Sequence, residues 1–185
     1  MRDLFGAAPG EPLELDAYRE DFRRRDFAVD GYDSWKLERR QHFREPGDAS
    51  WEAFVRGDWR EALRLIEAQR SGLSDLSRLA AGHRCRLLRV RVVETPLTPY
   101  LQWELHLLRV RAECGELIRV LGPEPLAEYE AESPVPELIT LNDDTVYEIR
   151  YDAEGVGTFF DREVPRAVRL RESVVRRSPH DDAGQ

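Results

Sequence analysis

The two-residue alternation between residues 85 and 94 is the sequence feature that most constrains the fold. Apolar side chains in this segment alternate with a second set that includes Arg89 and Arg91. This period predicts a β-strand with one apolar face and one arginine-bearing face. We interpret the segment as a central strand of a sheet.

The clearest helix signal in the chain follows that strand. Thr98 is a favourable N-cap, Pro99 suits the first helical position, and Gly115 stops the helix one residue past its end. Two of the three stripes of the predicted helix, residues 99 to 114, are apolar. We therefore expect most of this helix to be buried, and the apolar run at residues 117 to 121 to form the next strand.

The segments before residue 85 combine helical and strand patterns. A helical period predicts a first amphipathic helix over residues 13 to 26. The charged and apolar alternation of residues 34 to 43 favours a half-buried strand, with a helix as the alternative. Residues 50 to about 81 are predicted to be helical in two or three pieces, with breaks near Gly57 and at Gly72.

The segments after residue 121 predict a brief helix over residues 123 to 129 and then a C-terminal antiparallel meander. Its three short strands are separated by turn residues, and they cover residues 137 to 141, 146 to 151 and 156 to 160. A last amphipathic helix is predicted from about residue 162 to 177. The whole order predicts an α/β fold, a mixed sheet of five to six strands with flanking helices and an N-terminal helical segment.

Length and composition indicate one domain in a reducing compartment. The 185 residues fit a single domain, which we assign to residues 13–177 between disordered tails at 1–12 and 178–185. Cys85 and Cys114 lack C-x-x-C partners, and no long apolar run suggests a signal peptide or a membrane span. We expect a cytoplasmic protein, away from membranes. Its net charge of -8 disfavours nucleic acid as a partner.

The motifs of common enzyme classes are absent from the sequence. The four histidines fall in different predicted elements without a second ligand at helical spacing, so no metal site is expected. Gly155 and Gly157 lie in a hairpin and do not form a phosphate-binding turn before a helix. The single lysine, Lys36, has no histidine two residues before it, which excludes histidine-lysine phosphodiesterase chemistry. We expect no catalytic residues and no cofactor.

The junction between the central strand and its helix, residues 96 to 104, is the one candidate binding site. Ligands favour such strand-to-helix junctions in α/β sheets. Tyr100, Trp103 and Glu104 could line a pocket with Glu94, while Arg89 and Arg91 offer a counter-charge to a small anionic ligand or a partner surface. The alternative is that Tyr100 and Trp103 are core or rim residues and that Glu104 is only a favourable negative charge near the N-terminus of the helix.

Short motifs from residue 89 onward resemble those of an uncharacterised actinobacterial family of domains of unknown function, often encoded beside helix-turn-helix regulators. The matching positions are Arg89 to Val93, Tyr100, Trp103, Glu104, Gly115, Glu116, Ile118 and Arg119. The resemblance covers about residues 34 to 175, and it adds Arg119 to the predicted binding residues. Cys114 replaces the family's usual alanine, and residues 137 to 141 replace its phenylalanine-tryptophan-leucine strand. The late hairpin is also similar to phospholipase-D-like domains that sense without catalysis.

Three functions remain open from the sequence. The first is a non-enzymatic binding or regulatory module that acts through a protein partner, such as a helix-turn-helix transcription regulator, as the resemblance implies. The second is an enzyme of small-molecule or aminoacyl metabolism with an unrecognised pocket around Tyr100, Trp103 and Glu104. The third is a structural role through self-association, which would require a surface patch of exposed aromatic residues such as Tyr18, Trp51 or Trp59.

Overall fold

A computed structural model describes residues 11–28, 30–131, 134–141, 145–151 and 157–163. The strands in this part of the chain are β1 (Glu11–Leu13), β2 (Ser34–Glu38), β3 (Leu87–Val92), β4 (Leu117–Leu121), β5 (Glu137–Thr140), β6 (Thr145–Tyr151) and β7 (Gly157–Glu163). The α-helices are α1 (Leu15–Arg25), α2 (Ala49–Val55), α3 (Trp59–Ala68), α4 (Arg70–Gly82) and α5 (Pro99–Glu113), and a 3-10 helix covers Glu124–Leu126.

All seven strands form one mixed sheet in the order β1-β7-β6-β5-β2-β3-β4. The neighbours β2, β3 and β4 are parallel, and every other pairing is antiparallel. This architecture confirms the predicted α/β class, and its seven strands are close to the five or six expected. The strand that was not predicted is β1, whose residues Glu11 and Pro12 fall in the segment expected to be an N-terminal tail.

The charged side chains of β2 and β3 lie on the sheet face that the helices cover. The parallel register pairs Lys36 with Arg89 and Glu38 with Arg91, so these four side chains share one face. The Arg91 side chain contacts α5 from this face. The crossovers that connect β2 to β3 and β3 to β4 place helices α2 to α5 here, where they bury a core that includes Trp51, Ala62, Ile66, Tyr100 and Trp103.

Helix α1 packs beside this core against the antiparallel half of the sheet. The ring of Tyr18 stacks on Phe159 with 3.7 Å between centroids and meets Tyr147 edge-on. Trp51 is buried, whereas Trp59 is 37% exposed. Of the three aromatic residues considered for self-association, Tyr18 and Trp51 are therefore engaged inside the domain.

The bounds of α5 confirm the helix predicted over residues 99 to 114 to within one residue. The Thr98 hydroxyl accepts the backbone N–H of Leu101 at 3.1 Å and donates to the carbonyl of Gln41 at 2.7 Å. Pro99 occupies the first turn, and Gly115 follows the helix with a φ of 111°. The cap thus fixes the start of α5 to the loop that leaves β2.

Two predicted boundaries are wrong for physical reasons. The break expected at Gly72 lies instead at Gln69, which ends α3 and precedes α4. A glycine in a helix costs about 1 kcal/mol, and the remainder of α4 tolerates it. The strand expected over residues 34 to 43 ends at Glu38, because the next backbone N–H groups, of Arg39 and Arg40, donate to the Glu137 carboxylate.

Two elements after β4 differ from their predicted structures. The predicted brief helix at residues 123 to 129 is reduced to the 3-10 turn, and β7 extends to Glu163, one residue past the expected start of the last helix. Residues 164 to 177 of that predicted helix lie outside the described residues, as do residues 1–10 and 178–185. None of the helices in the described ranges is long and apolar enough to cross a membrane.

Candidate functional site

The centre of the candidate site is an ion pair between Arg91 on β3 and Glu104 on α5. Arg91 Nε lies 2.7 Å from Glu104 Oε2, and the two side chains are 0% and 5% exposed. Arg91 Nη1 also donates to the carbonyl oxygens of Glu38 and Val92. Burial raises the pKa of the Glu104 carboxyl, as does the nearby charge of Glu38, while Arg91 opposes the rise.

A second buried arginine extends the ion pairs across the sheet. Arg89 lies 2.7 Å from Glu38 and 2.6 Å from Glu116, and all three side chains are at most 8% exposed. Lys36 reaches Glu38 from the same strand at 2.7 Å. Although burial acts to raise the pKa of Glu38, the charges of Lys36 and Arg89 hold it below its usual range. These residues therefore neutralise one another inside the domain.

The Tyr100 hydroxyl lies between two carboxyl groups. Its oxygen is 3.0 Å from Glu45 Oε1 and 3.3 Å from Glu104 Oε1. Burial raises the pKa of both carboxyls and of the Tyr100 phenol. One phenol proton cannot satisfy two ionised acceptors, so protonation of either carboxyl would make both contacts hydrogen bonds.

Trp103 is held by a hydrogen-bonded chain within the core. Its indole N–H donates to the Ser50 hydroxyl at 2.9 Å, and that hydroxyl donates to the carbonyl of Ala62 at 2.9 Å. The ring lies over Phe54, with 5.9 Å between centroids and 22° between planes. Trp103 is 1% exposed, so it joins α5 to helices α2 and α3 as a core residue.

The carboxyl ends of β2 and β3, where ligands often bind in α/β sheets, are occupied by side chains of the chain itself. Arg39 binds Glu94 at 2.6 Å and Glu130 at 2.7 Å. The Gln41 amide donates to the carbonyls of Arg39 and Val92 and accepts the backbone N–H of Glu94. These contacts tie together the loops that leave the two strands.

Glu137 is the buried carboxyl next to this edge. Its oxygens accept the backbone N–H groups of Arg39 at 2.9 Å and Arg40 at 2.6 Å. Burial raises its pKa to about 7; the two backbone donors oppose the rise and the charge of Glu38 adds to it. Glu137 therefore titrates near neutral pH.

The structure brings together five of the seven predicted binding residues, namely Arg89, Arg91, Tyr100, Trp103 and Glu104, and buries them all. Glu94 lies at the rim of this group, with 46% of its side chain exposed and Arg39 as its partner. Arg119 is paired in register with Val90, so it lies on the opposite face of the sheet and is exposed.

Sequence reasoning missed the acidic partners of the two arginines, Glu38 and Glu116. A signal for Glu38 exists, because Lys36 and Glu38 alternate with apolar residues just as Arg89 and Arg91 do. Two strands with one charged face each, placed side by side, bring those faces together. The arrangement gives paired charges and no open coordination set, and no group of three metal-binding side chains occurs among the described residues.

Comparisons with known proteins place the chain in a family. No curated protein matches its sequence. The model of a family described as a domain of unknown function, DUF6879, matches residues 21–182. This match begins inside α1 and spans the whole candidate site, in agreement with the resemblance to an uncharacterised family. The chain therefore belongs to the DUF6879 family.

Proposed function

We propose that this protein is a non-enzymatic binding or regulatory module that acts through a protein partner, with a helix-turn-helix transcription regulator as the first partner to test. The proposal rests on the observation that the buried charged residues, which could otherwise bind a ligand or act in catalysis, are paired with one another. Arg89 and Arg91 bind Glu38, Glu104 and Glu116 within the core. A small anionic ligand would have to displace those carboxylates from both arginines.

An exposed aromatic corner supports a protein partner over a small substrate. Where α2 turns into α3, Val55 is 59% exposed and Trp59 is 37% exposed. Trp59 meets Phe54 edge-on at 5.2 Å, so its ring is held in place on the surface. Rigid tryptophans at the surface are enriched among the residues that dominate protein interfaces.

Co-purification tests the proposal. The tagged full chain would be isolated from native cells, and the proteins that it retains would then be titrated with the purified chain. We expect a saturable complex that weakens for Trp59→Ser but not for Arg60→Ser, an exposed neighbour on the same helix. The partner proposal fails if no retained protein binds the purified chain, or if both variants bind like the wild type.

The alternative function is an enzyme whose pocket surrounds Tyr100, Trp103 and Glu104. It is favoured by the raised pKa of the buried Glu104 carboxyl, a property that active-site acids and bases share. Glu104→Gln would then abolish turnover of a substrate that the wild type converts. Because this variant also leaves Arg91 without its buried anion, circular dichroism must show that it is still folded under the assay conditions. If a metabolite screen detects conversion by the wild type that Glu104→Gln lacks, the enzymatic function replaces the partner proposal.

A further inference from the structure

A cleft of about 350 Å³ opens between the C-terminal end of α1 and helix α4, on the side of the domain where β3 begins. It is separate from the ion pairs of the candidate site, which lie towards the other end of β3. A volume of this size is within the range of small-molecule sites in proteins. The lining residues are Arg23, Asp26, Phe27, Leu76, Leu79 and His83.

The cleft has an apolar and aromatic surface. Leu76 and Leu79 of α4 contribute aliphatic area, and Leu79 is 51% exposed. The Phe27 ring stacks on the His83 ring with 5.4 Å between centroids and 14° between planes. The His83 ring is held from behind, because its Nδ1 lies 2.8 Å from Asp30 Oδ1. The cleft therefore offers a fixed hydrophobic surface to an apolar group.

Two residues beside the cleft adopt backbone conformations that are unfavourable for their type. Phe27 has a φ of 59° and Arg84, next to His83, has a φ of 56°. Left-handed conformations are costly for residues that carry a Cβ atom, and they concentrate at functional sites. In this conformation the Phe27 ring lies against His83, and the two rings together form one wall of the cleft.

The decisive polar group is the Asp26 carboxylate. It is half-buried, and no described residue forms a hydrogen bond or an ion pair with it. Burial raises its pKa to about 6, against the opposing charge of His83, so at neutral pH Asp26 is ionised and has no hydrogen-bond donor among the described residues. Arg23, which also lines the cleft, is exposed to solvent. Because burial leaves Asp26 but not Arg23 poorly solvated, the cleft favours a cation.

We infer that this cleft binds a small organic cation with an apolar body, such as an arylalkylamine. The ammonium group would pair with Asp26, and the apolar body would lie on Phe27, Leu76 and Leu79. A charge-assisted hydrogen bond of this kind adds specificity for amines over neutral or anionic compounds of the same shape. Binding of an amine in this cleft does not require a protein partner, because the cleft lies apart from both the exposed Trp59 and the buried ion pairs.

Two matched compounds test the inference by calorimetric titration of the full chain at neutral pH. 2-Phenylethylamine and 3-phenylpropanoate share a ring and a chain of similar length but carry opposite charges. We expect saturable binding of the amine and at least about tenfold weaker binding of the propanoate, since a charged hydrogen bond typically contributes that much. Equal affinities, or no binding of the amine, would overturn the inference.

Substitutions then separate a ligand-binding role for Asp26 from a structural one. Asp26→Asn should weaken amine binding about tenfold or more and yet raise the melting temperature, because it removes an unpaired, poorly solvated charge. Arg23→Gln is the matched control on the same helix end, and it should bind the amine at least as well as the wild type. If Asp26→Asn unfolds at a lower temperature than the wild type, Asp26 has a structural role and the inference is wrong. The inference is also wrong if that variant binds the amine as well as the wild type does.

Discussion

Arg91 of β3 and Glu104 of α5 form an ion pair with a 2.7 Å contact, and both side chains are buried. The pair fixes the helix to the sheet by charge, beside a core of aromatic and aliphatic groups. A buried pair of this kind stabilises the fold less than its distance suggests, because both ions lose their hydration. Its main effect is that removal of either partner would leave the charge of the other buried and unpaired.

Replacing one partner alone should therefore be costly. Arg91→Met leaves the Glu104 carboxylate buried without its cation, and we expect a loss of about 3 to 5 kcal/mol in the free energy of unfolding. Urea denaturation measures this loss. Arg109→Met on the outer face of α5 is the control, and it should change stability little because Arg109 is exposed. Similar losses for the two variants would contradict a special role for the buried pair.

Replacing both partners should recover stability. The double variant Arg91→Met/Glu104→Leu removes both ions and leaves apolar groups of similar size, so we expect it to be more stable than Arg91→Met alone. A double-mutant cycle by urea denaturation measures the coupling. If the two single losses simply add, the side chains do not depend on each other as the structure indicates.

Stability should fall as the pH rises because of Glu137. Its pKa is about 7 in the folded protein and near 4.5 in the unfolded chain. The stabilisation from its buried neutral form is fully present below about pH 4.5 and is lost as the pH rises through about 7. Glu137→Gln keeps an acceptor for the backbone N–H groups of Arg39 and Arg40 but cannot ionise. We expect this variant to remove part of the decline in unfolding free energy between those pH values. An unchanged pH profile would show that Glu137 does not titrate there.

The cap of α5 should contribute measurably to stability. Thr98→Ala loses the hydrogen bond from Leu101 N–H and the one to the Gln41 carbonyl, and we expect a cost of about 2 kcal/mol. Thr98→Ser retains the hydroxyl and should stay close to the wild type. Thermal denaturation followed by circular dichroism compares the two variants, and an equal loss in both would assign the effect to the methyl group.

An exposed ring of charges joins α3, α4 and α5. Arg70 and Arg109 each lie within 2.7 Å of both Glu67 and Glu113. Because solvent and salt screen such contacts, Arg109→Gln should lower stability slightly at low ionic strength and not at all at high salt. Chemical denaturation at the two ionic strengths tests this, and a loss that persists in high salt would mean that the ring is not governed by screened charge.

The elements that were predicted well are those whose signals are local. Helix α5 carries its cap, its proline and its terminating glycine within its own sequence, and the structure places it almost as expected. The strand β1 has no such signal, because three residues including Pro12 become a strand only by pairing with β7 far along the chain. The early end of β2 depends in the same way on a distant carboxylate, that of Glu137.

The proximity of five of the predicted binding residues could be anticipated from the sequence, whereas their burial could not. The sequence indicates that Tyr100, Trp103 and Glu104 lie near Arg89 and Arg91, and their proximity agrees with the structure. Whether such residues line an open pocket depends on partners from other elements, and Glu38 and Glu116 are recognisable as partners only once the strand order is known. The cleft at Asp26 is harder still to predict, because its shape depends on the left-handed conformation of Phe27.

The placement of Glu38, Arg89 and Glu116 on three separate segments also bears on the order in which the protein folds. Each carboxylate comes from a segment far from the arginine in the chain, so Arg89 cannot lose its hydration until β2, β3 and the start of β4 are assembled. A partly assembled sheet would keep water at its centre. Assembly of the parallel half of the domain is thus expected to be a single cooperative step, in which the addition of the last strand also removes water from the core.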